Sequence, residues 1–326
     1  MDKTNHKIAV VIPAYRVKEH ILGVISKIPK SVYKIIIVDD HCPEKTGDFV
    51  RENSHDKRIF IIKNKQNLGV GGAVKVGYKA AINDDLDVVV KIDGDGQMNP
   101  ELIPFFVEPI ISGKADYTKG NRFYSIESLK QMPLRRVIGN IVLSFFSKFS
   151  SGYWNIIDPT NGYTAVSKSI INRLDTRKIH DRFFFESDML FRLYTLNSKV
   201  IDIPMKAIYG NEKSNLKILN IMPYFIYGHL KNFLKRIVYK YYLRDFSIAS
   251  LELLIGLIMT LNGVVWGMNK LFFNPSQIIE PTGTIVLNAT LIIVGFQFLI
   301  SFLNYDIAQV PKDSISNTLS PREDLL

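Results

Sequence analysis

The sequence predicts an α/β domain built on a mainly parallel sheet, followed by two membrane-spanning helices. Between residues 7 and 120, short β-branched runs alternate with longer helix-like runs. Several of the short runs are apolar on both faces, which is typical of a parallel sheet covered by helices on both sides. Near the C-terminus, two apolar stretches are each about long enough to cross a bilayer, which takes roughly 20 residues.

The elements of the first domain follow from the period of the apolar residues. Strands are predicted where β-branched residues form short runs, and helices where the apolar residues recur every three or four positions. In chain order the predicted elements are strand 7–15, helix 17–29, strands 33–40 and 58–64, helix 71–83, strand 87–93, helix 100–111 and strand 115–123.

The second half of the chain changes in composition. Residues 1–228 are predicted to form the first domain, and 229–245 a basic amphipathic helix at the membrane surface, with Lys231, Lys235, Arg236, Lys240 and Arg244 as its cations. Residues 246–304 are predicted to form a transmembrane hairpin, with spans at 248–268 and 284–303. Residues 305–326 are predicted to be a disordered tail.

Charge and cysteine content indicate the surroundings of the chain. The net charge of +10 indicates an anionic partner, either nucleic acid, phospholipid or a phosphorylated substrate. The single cysteine, Cys42, excludes an internal disulfide and fits a reducing compartment. The apolar run Ile8–Pro13 is too short for a secretory signal. Because the loop between the spans carries few cations, the first domain and the tail are predicted to be cytoplasmic.

Carboxylates follow two of the predicted strands. Asp39 and Asp40 end one strand, and Asp93 and Asp95 follow another in the stretch KIDGDGQMNP. Parallel sheets bind ligands at the carboxyl ends of their strands, and residues at i and i+2 point to one face. Asp93 and Asp95 are therefore predicted to hold Mg²⁺ or Mn²⁺, with Gln97 adding an amide oxygen. An ion with so few protein ligands usually shares its shell with substrate phosphates.

Other motifs are excluded by their spacing. An EF-hand beginning at Asp93 would need glycine at position 98 and an acid at 104, where the chain has Met98 and Pro104. The run GVGGAV lacks the last glycine of a dinucleotide fingerprint, and GAVKVGYK lacks the Lys-Ser/Thr pair of a phosphate-binding loop. No Gly-x-Ser-x-Gly of an esterase and no second His/Cys pair for zinc are present in the sequence.

The motifs as a set resemble family 2 glycosyltransferases of the GT-A fold. The resemblance is closest to the dolichyl-phosphate mannosyltransferase-like branch, which includes bacterial polyprenyl-phosphate (bactoprenol) glycosyltransferases. It covers roughly residues 7–215. The matching stretches are VIPAY (11–15), IIVDD (36–40), NLGVGGAVKVGYKAA (67–81), DGDGQMNPE (93–101), KGNRF (119–123) and DPTNGYTA (158–165).

The resemblance implies a role for each matching residue. The nucleotide pocket would include Pro13, Ala14, Tyr15, Asp40, Asp93 and Gly94, with Asp40 binding uracil or guanine. Asp93, Asp95 and Gln97 would hold the metal, and Asp95 would be catalytic through it. Arg122 would meet the acceptor phosphate, Asp158 would be the acceptor-side carboxylate, and Glu186 would lie on a helix behind the site.

The sequence also departs from the family pattern. Tyr15 is followed by Arg16 and Val17, where the family commonly has Asn-Glu. The usual Arg-x-x-Gly-x-Ser-Lys is matched only loosely by YGNEKSNLK (209–217), so Lys213 or Lys217 would bind phosphate in place of the arginine. The chain lacks the Gln-x-x-Arg-Trp expected of a processive synthase, which favours single transfer.

The resemblance therefore implies an inverting transferase in the bacterial inner membrane. It would move one sugar from a UDP- or GDP-linked donor to polyprenyl (undecaprenyl) phosphate, with membrane lipid but no nucleic acid as a further partner. Two alternatives stay open at this stage, namely a membrane glycosyltransferase acting on another lipid-linked or glycan acceptor, and a non-catalytic protein that binds nucleotide sugars. The sequence also leaves homo-oligomerisation open.

Overall fold

The computed structural model of the chain describes residues 6–124, 132, 134–206, 218–273 and 280–315. These residues form two compact units. The first contains the described residues up to Phe233 together with 311–315, and the second contains those from Leu234 to Val310. The first unit thus extends past the predicted boundary at residue 228.

A seven-stranded sheet forms the centre of the first unit. Its strands are β1 (Ile8–Ala14), β2 (Lys34–Asp39), β3 (Ile59–Lys63), β4 (Val88–Lys91), β5 (Tyr117–Asn121), β6 (Thr164–Ser167) and β7 (Val200–Pro204). Their order across the sheet is β3-β2-β1-β4-β6-β5-β7. Only β6 runs antiparallel to its neighbours, β4 and β5, so the prediction of a mainly parallel sheet is confirmed.

Helices cover the sheet and continue beyond it. In the first unit they are α1 (Ile21–Ser26), α2 (Thr46–Asn53), α3 (Val70–Asn83), α4 (Ile103–Ile111), α5 (Leu134–Ser151), α6 (Lys168–Arg173) and α7 (Phe185–Thr195). Short 3-10 turns lie at Pro100–Leu102 and Thr176–Lys178. The remaining helices are α8 (Ile218–Ile237), α9 (Ile248–Met268) and α10 (Thr282–Ala308), with π-helical turns at Val238–Arg244 and Asn269–Phe273.

The core lies on both faces of the sheet, as the two-sided apolar strands predict. Val10 and Ile12 of β1 belong to a cluster with residues of α1 and α4. Val11 points to the other face, where it meets Gly77 of α3 so closely that a Cβ there would clash. Strands β6 and β7 lie beyond residue 123, where the predicted strands ended, and neither was predicted.

The glycine-rich start of α3 packs against the loop 179–183. Gly72 N donates to the carbonyl of Asp181 at 2.9 Å, and Gly69 adopts a φ of 84°. A Cβ on Gly71 would clash with the carbonyl of His180 and lie 2.8 Å from the Phe185 side chain. These glycines therefore permit a close backbone approach.

Gly71→Ala is expected to destabilise the protein. The added methyl group meets backbone that cannot move aside, and overpacking of this kind costs about 1–3 kcal/mol of unfolding free energy. Gly23→Ala is the matched control, because Gly23 is an exposed residue of α1 and a Cβ there meets nothing within 4 Å. It should leave stability unchanged or raise it by up to about 1 kcal/mol. Thermal unfolding in detergent measures both, and equal stabilities would contradict this account.

Two helices of the second unit are long and apolar enough to cross a membrane by length and composition. The candidate spans are Ile248–Phe272 and Thr282–Ala308, longer than predicted at their C-terminal ends. In their most apolar windows, only 28% and 11% of the residues are buried. A helix in a soluble core would be mostly buried, so this exposed apolar surface fits contact with lipid.

Small residues hold α9 and α10 together. A Cβ on Gly256 would lie 3.0 Å from the carbonyl of Gly295, and a Cβ on Gly295 would lie 2.8 Å from the Thr260 backbone nitrogen. Such close contact of helix backbones is a common mode of packing in membranes.

Arg236 differs from its predicted role as a lipid-facing cation. Its guanidinium is buried and forms two bonds to the equally buried Asp306, Nη1–Oδ1 at 2.5 Å and Nη2–Oδ2 at 3.0 Å. Tyr241 donates its hydroxyl to the same carboxylate at 2.6 Å. Because Arg236 and Asp306 are far apart in sequence, the amphipathic pattern alone gave no sign of this pair.

The beginning of the predicted tail is ordered. Helix α10 continues to Ala308, and residues 311–315 belong to the first unit. There the buried carboxylate of Asp116 accepts hydrogen bonds from Ser314 Oγ at 2.7 Å, Ile315 N at 3.0 Å and Lys199 N at 2.8 Å. The chain that follows the second span is thus anchored by hydrogen bonds to Asp116, the residue before β5.

Candidate active site

A cavity of about 380 Å³ opens where β1, β2 and β4 end. Because these strands are parallel, their carboxyl ends meet at one edge of the sheet. The start of α3 and the loop before α7 close the cavity from the side. Seven predicted site residues line it, namely Pro13, Ala14, Tyr15, Asp40, Asp93, Gly94 and Asp95. Its volume falls in the range of small-ligand sites.

Asp40 is held rigidly at the cavity wall. Its Oδ1 accepts from Asn64 Nδ2 at 2.8 Å and from Leu68 N at 2.9 Å, and its Oδ2 accepts from Gly69 N at 2.7 Å. The carboxylate therefore satisfies amide groups at the start of α3, as negative side chains commonly do at helix N-termini. This anchoring was not predicted, and it fixes the position of Asp40 at the cavity wall.

Asp39, next to Asp40, does not line the cavity. Its carboxylate accepts from Cys42 N at 2.8 Å and from Gly47 N at 2.7 Å, so it fixes the turn that leads into α2. Adjacent residues of a strand point to opposite faces, and only one of this pair reaches the ligand side.

The carboxylates after β4 lie beside a buried lysine that the sequence analysis missed. Lys91 Nζ contacts Asp93 Oδ1 at 2.9 Å and Glu186 Oε1 at 3.2 Å. Burial alone would lower the pKa of the Lys91 ammonium, but Asp93 and Glu186 outweigh burial and raise that pKa above its usual value. Lys91 therefore carries a fixed positive charge that orients Asp93. The sequence signal that could have revealed this residue is a lysine inside the apolar run VVVKI.

Asp93 and Asp95 supply two carboxylate ligands of the kind that suits a divalent cation. Asp95 Oδ1 accepts from Gln97 N at 3.0 Å, so the backbone of Gln97 shapes the turn, whereas Gln97 does not line the cavity. Among the residues the structure describes, no group of three or more His, Cys, Asp and Glu side chains is placed to hold a metal. Hard oxygen donors in so small a number fit an ion that takes further ligands from substrate phosphates.

A second cluster follows β5 and joins Arg122 to Asp158. Arg122 Nε donates to Asp158 Oδ2 at 2.7 Å and Nη2 donates to Oδ1 at 2.9 Å, while the Arg122 backbone N–H adds a bond of 3.2 Å. Asp158 is fully buried. Such bidentate pairing fixes the plane of the guanidinium. Both residues are predicted site residues, but their pairing was not predicted.

Asp202 of β7 binds the residues next to this pair and was not among the predicted site residues. Its Oδ2 accepts from Asn121 Nδ2 at 3.0 Å and from Ile157 N at 3.2 Å, so it ties together the residues that precede Arg122 and Asp158. Burial raises the pKa of the Asp202 carboxyl to about 6. Only the three-dimensional pairing of β5 with β7 brings this residue to the site.

The segment before β6 connects the two clusters. A Cβ on Gly162 would meet Lys91 Nζ and lie 2.6 Å from Asp93 Oδ2, so Gly162 lies directly against the first cluster. Its neighbour Asn161 donates Nδ2 to Asp158 Oδ2 at 3.3 Å in the second. The carbonyl of Asn161 accepts from buried Lys119 Nζ at 2.5 Å, and burial lowers the pKa of that ammonium to about 8.

One predicted site residue cannot be placed. Lys213, with its alternative Lys217, lies in 207–217, outside the described residues. Glu186 is found on α7 as expected, and its role is now specific, since it is the second carboxylate that contacts Lys91.

The fold and the motifs agree with one enzyme family. The sequence profile of glycosyl transferase family 2 matches residues 9–175, and the chain belongs to this family. Among its relatives is a UDP-N-acetylglucosamine–dolichyl-phosphate N-acetylglucosaminyltransferase of Methanococcus voltae, 31% identical over 66% of this chain and 90% of the relative. An undecaprenyl-phosphate mannosyltransferase of Micrococcus luteus is 25% identical over 62% of this chain and 84% of the relative.

Solved structures agree on the fold. Glucosyl-3-phosphoglycerate synthase of Mycobacterium tuberculosis, solved with Mn²⁺, uridine diphosphate and glucosyl-3-phosphoglycerate, matches with a TM-score of 0.53 and 18% identity. The match covers 71% of this chain and 80% of that chain. The same enzyme was also solved with Mg²⁺ and uridine diphosphate. The predicted GT-A fold is therefore confirmed.

Proposed function

We propose that the protein transfers one sugar from a nucleotide-diphosphate sugar to polyprenyl phosphate at the membrane, with inversion at the anomeric carbon. The observation that carries this proposal is the segment Asn161–Gly162, which joins the carboxylates of the cavity to the Arg122–Asp158 pair. A donor in the cavity and an anionic acceptor at Arg122 would then be neighbours. The names of the relatives support a polyprenyl phosphate acceptor.

The donor would occupy the cavity, with its nucleotide between Tyr15 and Asp40. The uridine diphosphate bound by the structural neighbour supports a UDP-linked donor, and a GDP-linked donor stays an alternative. Asp93 and Asp95 would hold Mg²⁺ or Mn²⁺, with Gln97 as a proposed further ligand. When bound, such an ion would neutralise charge on the departing nucleotide diphosphate.

The acceptor needs orientation more than deprotonation. A monoester phosphate has a second pKa of roughly 6, so it is largely ionised at neutral pH. Both oxygens of Asp158 already accept from Arg122, which fits a residue that positions the guanidinium rather than one that removes a proton. The phosphate oxygen would attack the anomeric carbon from the face opposite the leaving group.

An exposed apolar surface supports access to a lipid acceptor. Helix α5 exposes Leu134, Ile138, Ile141 and Phe145 on one side. Tyr227 and Leu230 of α8, in the same unit, are exposed as well. Helices α5 and α8 pack together through Ser150 Oγ and His229 Nδ1, 2.7 Å apart. An amphipathic surface of this kind fits the boundary between headgroups and acyl chains.

The proposed location is the cytoplasmic face of the bacterial inner membrane. The two apolar helices and the polyprenyl-phosphate relatives support a membrane protein. The bonds of Ser314 and Ile315 to Asp116 support a hairpin that returns the chain to the side of the catalytic domain. The low number of cations in the loop between the spans supports a cytoplasmic position for that domain.

A transfer assay tests the proposed function. Purified full-length protein is incubated with undecaprenyl phosphate, Mg²⁺ or Mn²⁺, and a panel of UDP- and GDP-linked sugars, and lipid products are identified by mass spectrometry. We expect one donor to give a lipid product heavier by one sugar residue. A donor that is consumed only with a glycan or another lipid-linked sugar as acceptor would contradict the proposal.

Arg122→Lys is expected to weaken binding of the acceptor more than binding of the donor. A planar guanidinium suits bidentate contact with phosphate, whereas an ammonium makes point contacts. The KM for polyprenyl phosphate should therefore rise severalfold, while the KM for the nucleotide sugar changes little. Steady-state kinetics with each substrate varied in turn measures this difference. The reverse pattern would move Arg122 to the donor side.

A further inference from the structure

The cavity that would receive the donor is lined by more acidic than basic residues. Three acidic residues line it, Asp40, Asp93 and Asp95. Among the described residues that line the cavity, the one cationic side chain is that of Arg182, in the loop before α7. We propose that Arg182 binds the diphosphate of the nucleotide sugar, an inference that rests on the proposed function.

The backbone around Arg182 is fixed against the start of α3. The carbonyl of its neighbour Asp181 accepts from Gly72 N at 2.9 Å, and its own carbonyl accepts from Phe185 N at 2.8 Å. A Cβ on Gly69 would lie 2.9 Å from Arg182 Cγ, so the first carbons of the side chain pack on this glycine. The loop thus holds the base of the arginine at the cavity wall.

The charged end of Arg182 is available for a ligand. The residue is exposed, and within the part of the chain that the structure describes no carboxylate lies within ion-pair distance of its guanidinium. The nearby arginines differ in this respect, since Arg177 pairs with Asp175 and Arg192 pairs with Asp188. An arginine held at a pocket wall without a protein anion is suited to bidentate contact with phosphate.

The reaction would be helped by such a cation. Both phosphates of a sugar nucleotide are ionised at neutral pH, and a divalent ion held by Asp93 and Asp95 would offset part of their charge. When the bond from the anomeric carbon to the β-phosphate oxygen breaks, its electron pair stays on that oxygen. The new bond to the acceptor phosphate oxygen forms at the same carbon. A fixed guanidinium beside the diphosphate would stabilise the added negative charge.

Calorimetry on full-length protein in detergent tests the role of Arg182. Uridine diphosphate and uridine are each titrated, with Mn²⁺ present, into the wild type, Arg182→Gln and Arg182→Lys. Guanosine diphosphate and guanosine replace them if the wild type binds those more tightly. We expect Arg182→Gln to lose about tenfold to hundredfold in affinity for the diphosphate, as removal of a charge-assisted hydrogen bond implies. Affinity for the nucleoside should stay unchanged, and Arg182→Lys should keep part of the diphosphate affinity.

Arg177→Gln is the matched control, because Arg177 lies five positions earlier, is 89% exposed and pairs with Asp175 outside the cavity. It should bind both ligands as the wild type does. If Arg182→Gln binds the diphosphate normally, or loses nucleoside and diphosphate equally, the inference about Arg182 is overturned while the proposed function stands. A wild type that binds no nucleoside diphosphate would overturn both.

Discussion

Asp95→Asn is expected to abolish sugar transfer while the protein stays folded. Asp95 lines the cavity directly after β4, and its neutralisation removes one of the two charged oxygen ligands proposed for the metal. An asparagine can still accept the 3.0 Å hydrogen bond from Gln97 N, so the turn should be kept. Loss of a charged ligand should cost several kcal/mol of transition-state stabilisation, which is at least about a hundredfold in rate.

Two measurements check the Asp95 prediction. Transfer is followed at matched Mg²⁺ or Mn²⁺, and Mn²⁺ binding is measured by calorimetry with uridine diphosphate present, where the variant should bind more weakly. Asp85→Asn makes the same chemical change at an exposed carboxylate that pairs with Lys168, and it should behave as the wild type. An Asp95→Asn rate within tenfold of wild type would show that Asp95 does not act as proposed.

Asp158→Asn is expected to lower both transfer and stability. The fully buried carboxylate accepts three hydrogen bonds from Arg122, and removing its charge leaves a largely buried guanidinium without its partner. Breaking one side of a buried ion pair costs about 3 kcal/mol or more. The freed guanidinium would also lose the orientation that the acceptor phosphate needs, so transfer should fall by more than the stability loss explains.

The control for Asp158 is Asp175→Asn, which alters another Arg–Asp pair whose arginine, Arg177, is 89% exposed and whose carboxylate is half-buried. Exposed pairs contribute little to stability, so this variant should unfold like the wild type. Denaturant unfolding measures stability, and transfer is measured at a temperature where every variant is folded. A stable Asp158→Asn variant with normal transfer would show that Asp158 neither stabilises the protein nor orients Arg122 for transfer.

The sequence predicted the sheet and the carboxylates at its edge because both depend on local patterns. The strands are apolar runs, and Asp93 and Asp95 follow one of them directly, so their place at the edge of the sheet needed no long-range information. The resemblance to family 2 glycosyltransferases supplied Pro13, Ala14 and Tyr15, which line the cavity at the end of β1 and just after it.

Other parts of the site depend on contacts between distant residues. Lys91 of β4 contacts Glu186 of α7 across 95 positions, and Asp202 of β7 contacts Asn121 of β5 across 81. No local pattern reveals this packing of α7 or this pairing of β5 with β7. Asp39 and Asp40 look equivalent in sequence, yet one fixes the turn before α2 and the other anchors the start of α3. Arg236 was predicted to be a lipid-facing cation for the same reason, because its buried partner Asp306 lies 70 positions away in the sequence.

The fate of the donor's β-phosphate tests the central claim most directly. Full-length protein is incubated with undecaprenyl phosphate and a donor labelled in two ways, with ³²P in the β-phosphate and ¹⁴C in the sugar. Sugar transfer to the lipid phosphate predicts that all ¹⁴C gained by the lipid arrives without ³²P, which stays in the nucleoside diphosphate. Appearance of ³²P in the lipid together with ¹⁴C would show transfer of a sugar phosphate and would contradict the account.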